Sequence, residues 1–185
     1  RDKGEYRPVW HEAEAPHDSC VIHFNLLSHA IFAKVFDLMR DVKAQVLSQI
    51  FDPSTLLGTI ARLDTEDDRI QPESILVQPV FDDFDHAKVV GAVIAVIPWD
   101  TYFSNLLHEG AHGVICVLGD TCGDDVFTYR LDGPHATYIG KGDLHNTKYD
   151  YLAHVTAVDF STSVYDAECY TYKYVCHFFP TGELL

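Results

Sequence analysis

Residues 75–97, ILVQPVFDDFDHAKVVGAVIAVI, decide the fold class of this chain. Two apolar runs, Ile75–Phe81 and Val89–Ile97, are rich in Val and Ile, and polar residues including Asp82 and Asp83 separate them. Runs of β-branched residues bounded by turn residues predict β-strands. Four later runs predict further strands, at Val114–Leu118, Val126–Leu131, Ala153–Phe160 and Tyr170–Phe179.

A long amphipathic helix is predicted ahead of these strands. Apolar residues recur every three or four positions at Ile31, Val35, Met39, Val42, Val46 and Ile50. This spacing places them on one face of a helix. Ser28 is the predicted N-cap and Pro53 the predicted stop. At ~1.5 Å per residue the helix would be roughly 35 Å long.

The order of the predicted elements indicates the fold class. A short helix from Trp99 to about Leu107, with Asp100 as its cap, interrupts the strands, and the later strands are spaced like antiparallel neighbours. We therefore expect an α+β fold, with one twisted antiparallel sheet and the long N-terminal helix packed on it. Residues 1–24 show no periodicity and are predicted to be an irregular entry segment, followed by a single domain over residues 25–185.

Charge and hydropathy exclude some classes of function. The 185 residues include 13 Lys and Arg against 28 Asp and Glu, a formal net charge of −15. Because phosphate contacts need clustered cations, this balance argues against nucleic-acid binding and against docking on an anionic membrane surface. The longest nearly apolar run, Val89–Trp99, is short of the roughly 20 residues that span a bilayer. The start at Arg1, without Met, leads us to expect a piece of a larger protein.

The five cysteines help to predict whether the chain lies in an oxidising, extracellular environment. No Cys-x-x-Cys pair indicates a metal site. Cys169 and Cys176 are seven residues apart on one predicted strand, roughly 23 Å, too far for a disulfide. Cys122 lies in a predicted loop and is available for a partner, whereas Cys20 and Cys116 show no clear pattern. An extracellular domain with one or two bridges fits this set, and buried free thiols are the alternative.

The segment His108-Glu109-Gly110-Ala111-His112 matches the H-E-x-x-H pattern of zinc peptidases. On a helix the two histidines would bind zinc and Glu109 would act as general base. Gly110 and Gly113 are poor helix residues, however, and a strand is predicted next. A helix-to-strand turn is therefore the favoured interpretation, and a small zinc metallopeptidase is the alternative function.

Among the eleven histidines, His145 is the best candidate for contact with a ligand. It lies in the turn Gly142-Asp143-Leu144-His145-Asn146, where a histidine would cap a pocket, although an ordinary Asx turn explains the Gly-Asp pair equally well. The sequence contains no nucleophile elbow and no phosphate-binding glycine loop. We therefore expect no catalytic residues, no cofactor and no resident metal.

An ordered series of short segments, strongest over residues 76–151, resembles a known group of proteins. The segments are Tyr6-x-Pro8-Val9-Trp10, Phe24–Leu27, Gln78–Phe81, Val90–Val93, Trp99-Asp100, Leu107-x-Glu109-Gly110-x-x-Gly113-Val114, Val117-Leu118-x-x-Thr121-Cys122, Thr128-Tyr129-x-Leu131-x-Gly133 and Gly140-x-Gly142-Asp143-Leu144-His145. In this order they resemble the extracellular CHASE-like (Cache/PAS-type) sensor region of receptor-type adenylate/guanylate cyclases of unicellular algae.

The resemblance implies a non-catalytic domain on the outer side of a cell membrane, tethered by flanking transmembrane segments. It would sense an unidentified small molecule and control a cytoplasmic cyclase, a phosphorus-oxygen lyase, with homodimerisation as a further implication. The ligand would lie between the sheet and its covering helix or loops, and Phe81, Trp99, Tyr102 and His145 are the candidate binding residues.

The resemblance also bears on the cysteines and histidines. It implies a disulfide between Cys122 and Cys169, and it leaves Cys116 and Cys176 either as a second bridge or reduced. Other residue types occupy the two histidine positions in the family pattern, which makes His108 and His112 incidental.

Overall fold

The computed structural model describes residues 25–52, 71–85, 87–121, 125–158 and 174–183. Their helices and strands are, in chain order, α1 Ala30–Val42, β1 Val46–Leu47, β2 Glu73–Phe81, β3 Val89–Pro98, α2 Trp99–Phe103, β4 Val114–Asp120, β5 Val126–Asp132, β6 His135–Lys141, β7 His154–Val158 and β8 Tyr174–Pro180. Short 3-10 turns lie at Leu26–Ser28 and Thr147–Leu152. The predicted entry segment 1–24 lies outside the described residues.

The strands form two antiparallel sheets, so the predicted single sheet is wrong while the α+β class is confirmed. The first sheet has the order β1-β2-β3 and the second the order β6-β5-β4-β8-β7. The sheets separate because the chain enters α2 directly after Pro98, and the next strand, β4, then pairs with β5 and β8. The predicted strand ends at residues 159–160 and 170–173 lie outside the described residues.

Helix α1 is shorter than predicted, and the extension to Ile50 is wrong. The helix ends at Lys43, which adopts a left-handed conformation (φ 52°) and donates its N–H to the carbonyl of Met39. Its N-cap is His29, whose Nδ1 accepts from the N–H of Ile31 at 3.3 Å, instead of Ser28. Val46 then pairs with Val77 of β2. A strand buries consecutive residues on opposite faces, whereas a helix would expose part of this segment.

Alternation along β1 and β2 places the three-stranded sheet between two apolar layers. On one face, Val46, Ile75 and Val77 pack with α1. On the other face, Leu47 and the partly buried Leu76 pack against the inner face of the five-stranded sheet. The α1 residues in the first layer are Phe32, Val35, Phe36 and Met39. The predicted packing of a helix on a sheet is thus present, with a second sheet on the opposite side.

The strand β6 was not predicted, because the sequence around it is dominated by turn residues. Gly133, at φ 56°, forms the tight turn from β5, and a Cβ at this position would lie 3.1 Å from the backbone oxygen of Glu109. Ala136 and Tyr138 point inward and pack on the core between the sheets. None of the described helices has both the length and the apolar character that crossing a bilayer requires.

Candidate functional site

Helix α2 brings polar groups from both sheets together at one end of the shared core. Glu73 begins β2, opposite Pro98 at the end of β3. Asp100 lies in the first turn of α2. From the second sheet, the rings of Tyr129 and Tyr138 lie 5.4 Å apart, and Phe103 of α2 lies 5.2 Å from Tyr129. We use the name acidic-aromatic cluster for five of these residues: Glu73, Asp100, Phe103, Tyr129 and Tyr138.

The hydroxyl of Tyr129 is the most unusual group of this cluster. The residue is completely buried, and its Oη has no hydrogen-bond partner among the described residues. Burial raises the pKa of Tyr129, and the nearby Asp100 raises it further. An unpaired buried hydroxyl costs about 1–3 kcal/mol, so a group of this kind requires an explanation.

Glu73 is the second unusual group. Burial, and secondarily the charge of Asp100, raises its pKa from 4.5 to about 7. Neither carboxylate forms an ion pair with a Lys or Arg in the described part of the chain. Two carboxyl groups in one poorly solvated place repel each other when both are ionised. The cluster therefore carries negative potential near neutral pH that no described cation compensates.

A second orphan acceptor lies close by in the chain. The Oε1 of Gln71 is buried and unpaired in the described structure, two residues before Glu73. Within the acidic-aromatic cluster itself, the Tyr129 hydroxyl and the two carboxylates make a set dominated by hydrogen-bond acceptors. Aromatic faces, which attract cations, surround the set. This chemistry suits a small molecule that carries hydrogen-bond donors and positive charge, and it contains no nucleophile held beside a base.

The predicted ligand residues do not form one site. Trp99 is buried in the core, where its Nε1 donates to Ser74 Oγ at 3.0 Å and its ring meets Tyr174 at 4.6 Å. Tyr102 covers Trp99 at 5.1 Å and remains 42% exposed. Both therefore border the acidic-aromatic cluster. Phe81 lies at the opposite end of β2, far from them.

His145 belongs to a different face of the molecule. Its ring stacks on Phe179 with the centroids 3.7 Å apart. Phe179 packs on the outer side of the five-stranded sheet, with Ile115 and Val117, whereas the core lies on the inner side. A whole sheet therefore separates His145 from Trp99.

Two carboxylates occupy both ring nitrogens of His145. Nδ1 contacts Asp143, and Nε2 lies 2.7 Å from Asp150. Burial acts to lower the pKa of His145, but the hydrogen bonds to the two carboxylates raise it overall. This arrangement ties the β6–β7 connection together and leaves neither nitrogen available to a ligand.

The H-E-x-x-H segment forms a turn, as the glycines predict. His108 Nδ1 accepts from the N–H of Gly110 at 3.1 Å, and the His108 carbonyl accepts from Ala111 N–H at 2.8 Å. The helix that would align His108 and His112 is absent from residues 104–113. The described residues contain no group of three or more candidate metal ligands. The geometry therefore gives the zinc peptidase alternative no support.

The described cysteines are a buried thiol pair. Cys116 and Cys176 lie on neighbouring strands, offset by two positions in the register, and both are free. A hydrogen bond to Cys176, and then burial, raises the pKa of Cys116. The predicted bridge between Cys122 and Cys169 lies outside the described residues.

The predicted ligand position lies between the sheet and its covering helix or loops, and on the helix side an apolar layer fills this space. The residues between α1 and β2 are buried hydrophobic side chains. Trp99 and Tyr129 lie in the core on the other face of this sheet, and Glu73 lies at the end of β2, close enough to Asp100 to feel its charge. Sequence reasoning missed Glu73, Tyr129 and Gln71, because a polar residue at a strand end or in an alternating strand gives no sign that it lacks a partner. A Glu two residues before an apolar run was the one available signal.

The comparisons with known proteins identify no family. No protein-family model, curated protein or solved structure matches this chain. The resemblance to cyclase sensor regions therefore stays a prediction based on the ordered series of segments.

Proposed function

We propose that this chain is a non-catalytic ligand-sensing domain and that its ligand binds at the acidic-aromatic cluster. In the full proposal the domain lies outside a cell membrane and controls cyclic nucleotide synthesis by a cytoplasmic cyclase, as the resemblance implies. The observation that carries the binding proposal is the buried Tyr129 hydroxyl, which has no partner among the described residues and lies near two carboxylates that no described cation compensates.

The electrostatics indicate the type of ligand. Two carboxyl groups and the Tyr129 hydroxyl accept hydrogen bonds, and an ammonium group donates three. Such a group would stabilise the ionised form of Glu73 and contact the face of an aromatic ring. A small organic amine therefore fits the cluster better than an anion or an uncharged apolar compound does.

The position of the cluster suggests how binding would produce a signal. Glu73 belongs to the three-stranded sheet and Tyr129 to the five-stranded sheet. A ligand that bonds to both would favour one arrangement of the two sheets. The equilibrium between arrangements shifts by the difference in ligand affinity between them.

A thermal-shift screen tests the binding proposal. The panel contains amines such as putrescine, tyramine and histamine, with carboxylates of similar size as controls. A ligand at 100 times its Kd stabilises the folded state by about 2.7 kcal/mol, which for a chain of this size is roughly 5–10 °C in Tm. We expect one or more amines, and no carboxylate, to raise Tm.

Two variants locate the binding site. Glu73→Gln and Tyr129→Phe should each reduce the shift, whereas Tyr151→Phe, at an exposed tyrosine, should leave it unchanged. Equal shifts in all variants would place the ligand elsewhere. A panel without any shift, up to millimolar amine, would contradict the proposal.

The receptor proposal has its own test. The parent protein in membrane vesicles should change its rate of cyclic nucleotide formation when the amine from the screen is added on the outer side. The Glu73→Gln parent should not respond. A response that is identical in the variant would contradict the link between this cluster and the cyclase.

A further inference from the structure

β3 is an edge strand that lacks the usual protection against pairing. It runs for ten residues, Val89–Pro98, without a charged side chain. Natural edge strands are commonly kept short or carry Lys, Pro or a bulge, because unpaired backbone groups recruit another strand. β3 has such features at its ends alone, namely Pro98 and the bulge opposite Val80 and Phe81.

The other described edge strands are shorter than β3 or are protected. β1 has two residues and β7 has five. β6 carries Lys141, which pairs with Asp125 at 2.7 Å, and its pairing with β5 is interrupted by a bulge. Within the described part of the chain, β3 is therefore the long unprotected edge.

The hydrogen bonds of β2 show which backbone groups of β3 face outward. Glu73 exchanges both its backbone bonds with Phe51, and the Ile75 carbonyl accepts from Ser48 N–H at 2.8 Å. The backbone N–H and C=O groups of the odd-numbered residues of β2 therefore point towards β1, and those of the even-numbered residues point towards β3. In the observed register, the backbone groups of β3 that point away from β2 belong to Ala92, Ile94 and Val96.

The side chains along this edge are also apolar. Val93 is 61% exposed, Val90 55% and Val96 51%. These three valines leave apolar surface in contact with water along an edge of ten uncharged residues. Exposed apolar surface of this kind is common at interaction sites. Among the described residues, β3 pairs with β2 alone.

We infer that β3 pairs with β3 of a second copy in an antiparallel dimer. A two-fold axis at Val93 places Ala92 opposite the partner's Ile94, so the outward backbone groups face each other. The same register places Val90 opposite the partner's Val96, and Val93 opposite its own counterpart. The edge is thus complementary to itself, which a two-fold interface requires.

Charge favours this face of an acidic chain. The formal charge of −15 opposes the approach of two copies over most surfaces, but the paired strands carry none. At the strand ends, the register places Lys88 opposite the partner's Pro98, two residues from Asp100. Lys88 already pairs with Asp82 of its own copy at 3.3 Å, so what favours this face is the absence of charge along the strand.

Pairing of one strand from each copy buries less than the roughly 1,200 Å² of a standard stable interface, so we expect a weak, concentration-dependent dimer with Kd of the order of micromolar. Sedimentation velocity between about 1 and 200 µM measures it. Val93→Lys should weaken the dimer at least tenfold, because two lysines would face each other at the axis. Ile139→Lys, at a similarly exposed β-branched residue on β6, is the matched control and should leave Kd unchanged.

Crosslinking tests the register. Val93→Cys should form a covalent dimer under mild oxidation, since directly opposite residues have Cβ atoms about 5 Å apart. Ala95→Cys, which would lie opposite the partner's Gly91, should not. A chain that is monomeric at 200 µM would overturn the inference, and so would a dimer that Val93→Lys and Ile139→Lys affect equally.

Discussion

Replacing Glu73 by Gln should stabilise the protein above neutral pH and change little in acid. The folded protein holds the pKa of Glu73 at about 7, against an ordinary value of 4.5. Below pH 4.5 the carboxyl is protonated in both the folded and the unfolded state, and it contributes nothing. As the pH rises from 4.5 to 7, the unfolded chain loses the proton first, so the free energy of unfolding decreases.

The expected size follows from the same two pKa values. The full difference corresponds to about 3 kcal/mol at pH 8. Glu73 is only partly buried, and solvent screening reduces this value to about 2 kcal/mol. Gln keeps the shape of the side chain and removes the charge. We therefore expect a gain of about 2 kcal/mol, or roughly 4–8 °C in Tm, at pH 8.

Urea denaturation at pH 4.5, 6, 7 and 8 measures the effect. The stability difference between Glu73→Gln and wild type should grow across this series and level off above pH 7. Glu109→Gln, at an exposed carboxylate in the turn before β4, controls for the general loss of one negative charge. A difference that is constant with pH, or a variant that is less stable at pH 8, would refute the reasoning.

Three further predictions follow from individual side chains. Tyr129→Phe removes a hydroxyl that has no described partner, so stability should stay equal or rise by up to about 1 kcal/mol in denaturant titrations; a loss of more than about 1 kcal/mol would show that the hydroxyl is bonded. The pKa of His145 is raised, so its hydrogen bonds to Asp143 and Asp150 contribute below about pH 6.5 and are lost as the pH rises through the folded-state value. Hydrogen exchange, corrected for its intrinsic pH dependence, should show that the amides of residues 142–152 lose protection over that range. In His145→Gln these amides should lack protection at every pH. Protection that does not change with pH in the wild type would contradict this prediction. If the implied bridge forms, denatured, unreduced protein should titrate three thiols, and five would contradict the extracellular proposal.

The elements that local pattern specifies were predictable. Alternating or continuous apolar runs gave β2, β3, β4 and β5, and the three-to-four spacing gave the start of α1. The division into two sheets was not predictable in this way, because strand pairing depends on contacts between distant residues. The spacing also continued through Val46 and Ile50, where pairing with β2 prevailed over helical periodicity.

The site was less predictable than the fold. Trp99 and Tyr102 are candidate binding residues through the family resemblance, and both pack on Phe103 at the border of the acidic-aromatic cluster. What marks the cluster is that Tyr129 Oη has no partner in the described part of the chain and that Glu73 is close to Asp100. Both are properties of the three-dimensional arrangement, and no spacing in the sequence encodes them.

The titration of the Glu73 carboxyl tests the central claim most directly. Carbon-13 NMR of glutamate-labelled protein, with the Glu73 resonance assigned from the Glu73→Gln spectrum, measures its pKa without any assumption about the ligand. We predict a midpoint near pH 7, which falls when an amine from the thermal-shift panel is added. A midpoint below pH 5, unaffected by every amine in the panel, would show that Glu73 is an ordinary solvated carboxylate and would contradict the account.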